Sequence, residues 1–364
     1  MAVLTRQHLL ARGPLADRAN AFLGKAWERG WLPPPDLDAE ALWTLAAKPY
    51  GANAEAAEHG GREAEDVADF RERLARLTAA LDTEADLNPL GRAMAWGQLS
   101  RVVKNRLAFG ALWLDRPELP ATPLAPPIIV IGHMRSGTTR IHQLLAADPA
   151  FSHTRYCDAY HPVPGRPGMN RVKAALELAM LGALNPWMQS IHPMRAGGVE
   201  EELAWISAAL HHSIYESQWH IPTFSAWSEA RGPLPVYREF GRILATDAAH
   251  RGIADRPRVM KVPAFAEDLA TLLALFPDTG FSPVEIDRFN FETTREYRNI
   301  RDFLVLHYRA SERDDSEFWR YCRNLPPPDG LAEKLEMFRS SGRIIRENNE
   351  LFTEDSWLSV MLSQ

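Results

Sequence analysis

Cysteine, long apolar runs and an excess of basic residues are all scarce in this 364-residue chain. Its two cysteines, Cys157 and Cys322, are too few for a disulfide framework, which favours a reducing environment. The most apolar stretch, residues 174–188, contains Glu177 and falls short of the ~20 apolar residues of a membrane span. A net charge of -6 argues against a nucleic-acid partner. With no recognisable signal peptide and no metal-ligand spacing, we expect a soluble cytoplasmic protein without a metal site.

The pattern of apolar residues divides the chain into three segments. Residues 1–120 show apolar residues at helical spacing, residues 121–278 alternate apolar runs with helical patterns, and residues 279–364 are helical without a convincing strand. A proline-rich stretch at 117–127 separates the first two segments. We therefore expect a helical N-terminal segment, an α/β domain and a C-terminal helical extension.

Two short β-branched runs, Ile128–Ile131 and Val259–Val262, have the length of buried strands. The sequence between them is mainly helical. Strands that alternate with helices favour a parallel α/β sheet flanked by helices. In the C-terminal segment, the sequence predicts a helix whose apolar face includes Ile300, Phe303, Leu304, His307 and Tyr308.

The segment PIIVIGHMRSGTT, residues 127–139, places a glycine-bounded loop between the first strand and a helix. Gly132 and Gly137 have the spacing of the nucleotide P-loop, and Thr139 stands where that motif has its hydroxyl. Thr138 replaces the usual lysine, and Arg135 lies inside the loop. Loop amides, a helix N-terminus and a guanidinium together favour binding of a tetrahedral oxyanion. The alternative is a strand–turn–helix in which the glycines serve only the turn.

Residues 127–149, which include this loop, resemble the phosphosulfate loop of the bacterial sulfotransferase family. The resemblance continues through residues 153–158, 193–202 and 258–263. Members of that family use 3′-phosphoadenosine 5′-phosphosulfate (PAPS) as the sulfuryl donor for a small-molecule acceptor. The resemblance implies a P-loop-like fold, sulfuryl transfer to a hydroxyl or amine, and a role for Arg135 in catalysis. The donor-binding candidates are Gly132, Arg135, Ser136, Gly137, Thr138, Thr139 and Lys261.

The sequence offers several candidates for the proton acceptor. Many members of the family carry a glutamate where this chain has Asp158, so Asp158 is one candidate and His133 in the loop is another. Three consecutive glutamates, Glu200, Glu201 and Glu202, are rivals, with Glu201 also a substrate-binding candidate; such a run at a helix start also suits the helix dipole. Lys261 at the end of a strand either contacts the anion or extends its ammonium group to solvent. Three histidines in helical or apolar stretches are interpreted as structural: His211, His212 and His220.

The sulfotransferase pattern breaks after Asp278. The family continues with a buried strand and an Arg…Ser pair for the donor's 3′-phosphate, whereas this chain continues with a loop and a helix start. We therefore expect an incomplete sheet, weak donor binding, and apolar surface covered by the following helix or by a second copy in a homo-oligomer.

The last segment resembles the C-terminal part of flavin-dependent tryptophan halogenases, on residues 296–308, 312–323 and 356–358. That resemblance implies Tyr308 and Trp319 as substrate-binding candidates, although without a flavin domain the interpretation of Phe318 and Trp319 as core aromatics is favoured. The glycine-rich flavin-binding signature is not found in this sequence, so FAD is implied only if the chain is a halogenase fragment. The other alternative is a non-catalytic fusion remnant that binds anions.

Overall fold

The computed structural model describes residues 13–132, 137–185, 192–266, 268–274, 283–314, 317–344 and 352–362. The chain forms two compact units, Met1–Asp278 and Thr279–Gln364. Of the described helices, none is both long and apolar enough to cross a bilayer. The helices of the first unit are α1 Pro14–Glu28, α2 Ala39–Ala47, α3 Ala54–His59, α4 Ala64–Thr83, α5 Pro89–Asp115, α6 Thr138–Leu145, α7 Tyr156–Tyr160, α8 Met169–Leu184, α9 Leu203–Ser207, α10 His212–Glu216, α11 Pro222–Glu229, α12 Leu234–Arg251 and α13 Leu269–Ala274, with short 3-10 turns at Gly51–Asn53 and Pro263–Ala266.

A small parallel sheet lies within this mostly helical unit. Its strands are β1 Ile128–Ile129, β2 Ser152–His153 and β3 Arg258–Met260, in the order β1-β3-β2. Ile128 pairs with Val259, and Ser152 pairs with Arg258 on the other edge of β3. Both predicted strands exist, in shortened form, and the parallel α/β class is confirmed: the described part of the sheet is open and has three strands.

Two apolar cores support this unit. One lies among α2, α4 and α5 and includes Leu74, Leu77 and Leu99, each at most 1% exposed. The other packs one face of α12 against β3 and the residues after it, through Tyr237, Phe240 and Met260. All three residues of β3 are buried, and because successive side chains of a strand point to opposite faces, β3 is buried on both faces.

A close approach between two backbones ties α3 to α5. Gly60, at the end of α3, has the left-handed φ of +46°, and a Cβ there would lie 2.2 Å from the Cα of Gly110. A Cβ at Gly110 would lie 1.6 Å from the carbonyl oxygen of Ala57. Only glycine fits at this crossing.

The second unit contains α14 Pro283–Arg309, α15 Glu317–Asn324, α16 Asp329–Ser341 and α17 Glu354–Leu362. Phe303, Leu306, Leu331 and Trp357 are part of its core. The apolar face expected for the long helix is only partly correct, because Leu304 and Tyr308 are about half exposed whereas Leu306, absent from that face, is fully buried. Phe303 is buried as expected, and the 3.6-residue helical period places Leu306, three residues further on, on the same buried face.

Candidate functional site

The carboxyl ends of the three strands bring the candidate residues to one edge of the sheet. All strands are parallel, so the residues that follow β1, β2 and β3 emerge on the same side. The loop that begins at Gly132 follows β1, Thr154 and Arg155 follow β2, and Lys261 follows β3. A ligand at this edge is expected for open parallel sheets.

The loop after β1 ends in a helix N-terminus. Gly137 has φ +88°, a left-handed conformation suited to glycine, and its carbonyl accepts hydrogen bonds from the amides of Arg140 and Ile141. Thr138 is buried and Thr139 half-buried in the first turn of α6. A Cβ at Gly137 would meet nothing within 4 Å among the described residues. His133, Arg135 and Ser136 lie outside the described residues.

Lys261 directly follows β3, whose Met260 carbonyl accepts a hydrogen bond from the amide of Val130 just after β1. Its side chain is about 10% exposed, and Nζ contacts Glu201 Oε1 at 2.6 Å. Its backbone amide donates to Glu202 Oε2 at 3.0 Å. The structure therefore brings together Lys261 and Glu201, and the ammonium group is held in a nearly buried ion pair.

Each of the three glutamates has a different environment. Glu200 Oε1 lies 3.1 Å from His192 Nε2, and this contact raises the pKa of His192. Glu201 is paired with Lys261. Glu202 is fully buried, and burial raises its pKa to about 7 even though hydrogen bonds from Thr154 and the amide of Lys261 act in the opposite direction. The negative charge of this run is thus largely neutralised, which keeps the edge compatible with an anionic ligand.

Asp158 lies in α7 and is held by arginines. Arg155 donates from Nε to Oδ2 at 2.5 Å and from Nη2 to Oδ1 at 3.0 Å, and Arg251 Nη1 lies 3.4 Å from Oδ2. The structure brings Asp158 into a network of cations beyond β2, whereas Lys261 and Glu201 stand at β3.

Two buried groups stand out here: Glu202 was one of three candidate glutamates in the sequence, and His142 was not among the residues singled out from it. Glu202 was seen as one member of a glutamate run, and only its burial distinguishes it. His142, in α6, is 1% exposed, with Nε2 3.3 Å from the carbonyl oxygen of Val259; burial lowers its pKa to about 4. As a neutral imidazole it links α6 to the central strand. A histidine on an apolar helix next to the glycine loop was the available signal.

In the second unit, Tyr308 and Trp319 contact each other. Their ring centroids are 5.9 Å apart and the rings are stacked. Tyr308 is 45% exposed and Trp319 is half-buried. The two residues therefore form a partly exposed aromatic pair.

Comparison with known proteins gives two matches along the chain. Residues 126–282 match the sulfotransferase family, and residues 260–364 match the tryptophan halogenase family. Tryptophan 7-halogenase KtzQ of Kutzneria sp. (strain 744) is 53% identical over 72 residues, 20% of this chain and 14% of KtzQ. Tryptophan 7-halogenase RebH of Lentzea aerocolonigenes is 39% identical over 72 residues, with the same coverage of 20% and 14%. The chain thus spans only a small part of these halogenases.

Two solved structures share the fold over most of the chain. Sulfotransferase STF1 from Mycobacterium tuberculosis H37Rv has a TM-score of 0.56 and 21% identity, covering 89% of this chain and 93% of STF1. Sulfotransferase STF9 from Mycobacterium avium has a TM-score of 0.56 and 20% identity, covering 84% of this chain and 72% of STF9. At such identities the likeness concerns the fold. Both resemblances seen in the sequence are confirmed: the chain has a sulfotransferase-like fold, with a segment that matches the sulfotransferase family followed by one that matches tryptophan halogenases.

Proposed function

We propose that the first unit binds PAPS at the loop after β1 and transfers its sulfuryl group to a hydroxyl or amine of a small acceptor. The observation that carries this proposal is the strand–loop–helix around Gly137 beside Lys261, within a segment that matches the sulfotransferase family. The first amides of α6, which lack partners within the helix, and the ammonium group of Lys261 suit a phosphosulfate.

In this reaction the acceptor's oxygen or nitrogen forms a bond to sulfur while the bond from sulfur to the phosphate oxygen breaks. The acceptor loses a proton, and 3′-phosphoadenosine 5′-phosphate leaves. Because the transferred group carries its own charge, the protein acts mainly by positioning the reactants and neutralising the leaving oxygen. Arg135, Thr138, Thr139 and Lys261 are the residues we assign to this task.

We assign proton acceptance to Glu201 in preference to Asp158. Lys261, the partner of Glu201, follows β3, the direct neighbour of β1. Asp158 follows β2, which is two strand spacings, roughly 10 Å, from β1. Both oxygens of Asp158 are also engaged by Arg155. Glu201→Gln should therefore reduce the rate of transfer far more than Asp158→Asn.

Donor affinity is expected to be modest. The Arg…Ser pair that sulfotransferases use for the 3′-phosphate does not follow residue 278 in this sequence. Loss of such charge-assisted contacts removes about 2–4 kcal/mol, or roughly a hundredfold in affinity.

Calorimetry with 3′-phosphoadenosine 5′-phosphate tests the proposal. Gly137→Asp adds a carboxylate immediately before α6 and is expected to abolish binding, as is Arg135→Ala. Gly30→Asp is the matched control, because Gly30 also has a positive φ, +66°, with nothing within 4 Å of its Cβ position. Undetectable binding by the unmodified chain at millimolar nucleotide, or equal binding by the Gly137 variant, would refute the donor site.

A further inference from the structure

Several arginines lie together in a cleft beyond β2. A cleft of about 410 Å³ is bounded by residues 161–168, the start of α8 and the end of α12. Four arginines line it, with two aspartates and an exposed histidine: Arg155, Arg166, Arg171, Arg251, Asp158, Asp247 and His250.

The two aspartates are already paired with other cations. Asp158 is engaged by Arg155 and Arg251. Asp247 Oδ2 lies 2.5 Å from Arg258 Nη2 and 3.2 Å from Arg251 Nη1. The carboxylates of the cleft therefore neutralise the arginines at its base and leave no charge to balance those at its rim.

Arg166 and Arg171 are the rim arginines. Both are exposed, and neither has an ion-pair partner in the part of the chain that the structure describes. With four guanidinium groups against two carboxylates, the cleft carries an excess of positive charge. Guanidinium groups at a concave surface favour bidentate binding of phosphate or sulfate.

The rim is held in place by local contacts. Asn170 Nδ2 donates to the carbonyl oxygens of His161 and Val163 at 2.7 and 3.1 Å, which fixes the loop before α8. The amide of Met169 donates to the carbonyl of Arg166. The guanidinium of Arg171 packs against Gly197, where a Cβ would lie 3.3 Å from Cζ. The turn at Arg166 and the first turn of α8 at Arg171 are thus fixed in place, which lowers the entropic cost of ligand binding.

We infer that this cleft is a binding site for a compact oxyanion, a phosphate or sulfate group, separate from the donor loop. The cleft is built on residues that follow β2, and β3 separates β2 from the strand that carries the donor loop. The same chemistry is presented by an inorganic anion and by a phosphate or sulfate group on a larger acceptor. In the second case the cleft selects acceptors that already bear such a group.

The test is calorimetric titration with inorganic phosphate at constant ionic strength. All proteins carry Gly137→Asp, so that the donor loop does not contribute. Arg166→Ala combined with Arg171→Ala is expected to weaken phosphate binding at least tenfold. The matched control removes two exposed cations elsewhere in the same unit, Arg18→Ala with Lys48→Ala, and is expected to bind as before. Thermal unfolding followed by circular dichroism verifies that each variant folds.

Three further results decide the inference. Absence of phosphate binding at tens of millimolar, or equal weakening by the control pair, overturns it. In the chain with Gly137 intact, the Arg166/Arg171 variant should keep its affinity for 3′-phosphoadenosine 5′-phosphate, and loss of that affinity would show that the sites are one. Because the phosphate titration does not depend on donor binding, failure of the proposed function leaves this test intact.

Phenyl phosphate distinguishes the two sources of the anion. Tighter binding than inorganic phosphate, lost in the Arg166/Arg171 variant, supports an anionic group on a larger acceptor. Equal binding, lost in the same variant, supports a free anion in the same cleft.

Discussion

Replacing Glu202 with glutamine is expected to stabilise the first unit at alkaline pH and to change its stability little at pH 4.5. Glu202 is 0% exposed, and one of its oxygens, Oε1, has no hydrogen-bond partner among the described residues. The other accepts from the amide of Lys261, and Thr154 also bonds the carboxyl. A glutamine oxygen accepts the same bonds, so the substitution mainly removes the buried charge.

The magnitude follows from the pKa of Glu202, which burial raises from 4.5 to about 7. Each pKa unit corresponds to about 1.4 kcal/mol, so ionised Glu202 destabilises the folded state by about 3 kcal/mol. Between pH 4.5 and 7 the unfolded chain loses a proton that the folded chain keeps. The stability contributed by protonated Glu202 is therefore lost as the pH rises, and the full destabilisation is present above pH 7.

Urea unfolding followed by tryptophan fluorescence at several pH values between 4.5 and 8.5 measures this effect. The difference between the Glu202→Gln variant and the parent should grow by about 3 kcal/mol over that range. Other titrating groups contribute equally to both proteins and cancel in the difference. Glu55→Gln, at an exposed position, is the control and should show no such growth. A difference that does not change with pH would refute the assignment of a raised pKa to buried Glu202.

Three other perturbations are expected to separate packing from electrostatics. Gly110→Ala should destabilise the first unit by about 3 kcal/mol or more in denaturant unfolding, because the new Cβ would lie 1.6 Å from the carbonyl oxygen of Ala57. Gly97→Ala in the same helix has nothing within 4 Å of its Cβ position and should stabilise the unit by up to about 1 kcal/mol. Glu239→Gln should lower the free energy of unfolding by about 3–5 kcal/mol in the same assay, since it leaves Arg62 and Arg106 buried without their carboxylate. Burial alone raises the pKa of Glu239, but these two arginines lower it to about 2. His142→Gln should reduce the loss of folding free energy between pH 6.5 and 4. Burial lowers the pKa of His142 to about 4, so the neutral imidazole stabilises the folded state above pH 6.5 and loses that contribution as the pH falls. An unchanged acid-unfolding profile would contradict this.

The sequence by itself determined the strand and the helix on either side of the glycine-bounded loop. The β-branched run from Ile128, the spacing of Gly132 and Gly137, and the hydroxyl residues that open α6 are all local signals. Local signals also predicted the helices α4 and α5, since both show apolar residues at helical spacing. The resemblance to two families likewise came from contiguous motifs. These features need no knowledge of which distant residues meet.

Only the tertiary structure decided what surrounds that loop. Strand β2 has two polar residues and no apolar run, so its place beside β3 is set by pairing with residues about a hundred positions away. The same long-range contacts place Lys261 against Glu201 and bury Glu202, and burial depends on the packing of the whole unit rather than on the residue type. The arginine cleft gathers Arg155, Arg166, Arg171 and Arg251 from four positions along the chain. Charge and spacing along a sequence do not reveal such a convergence, because it arises only when helices and strands close around a common core.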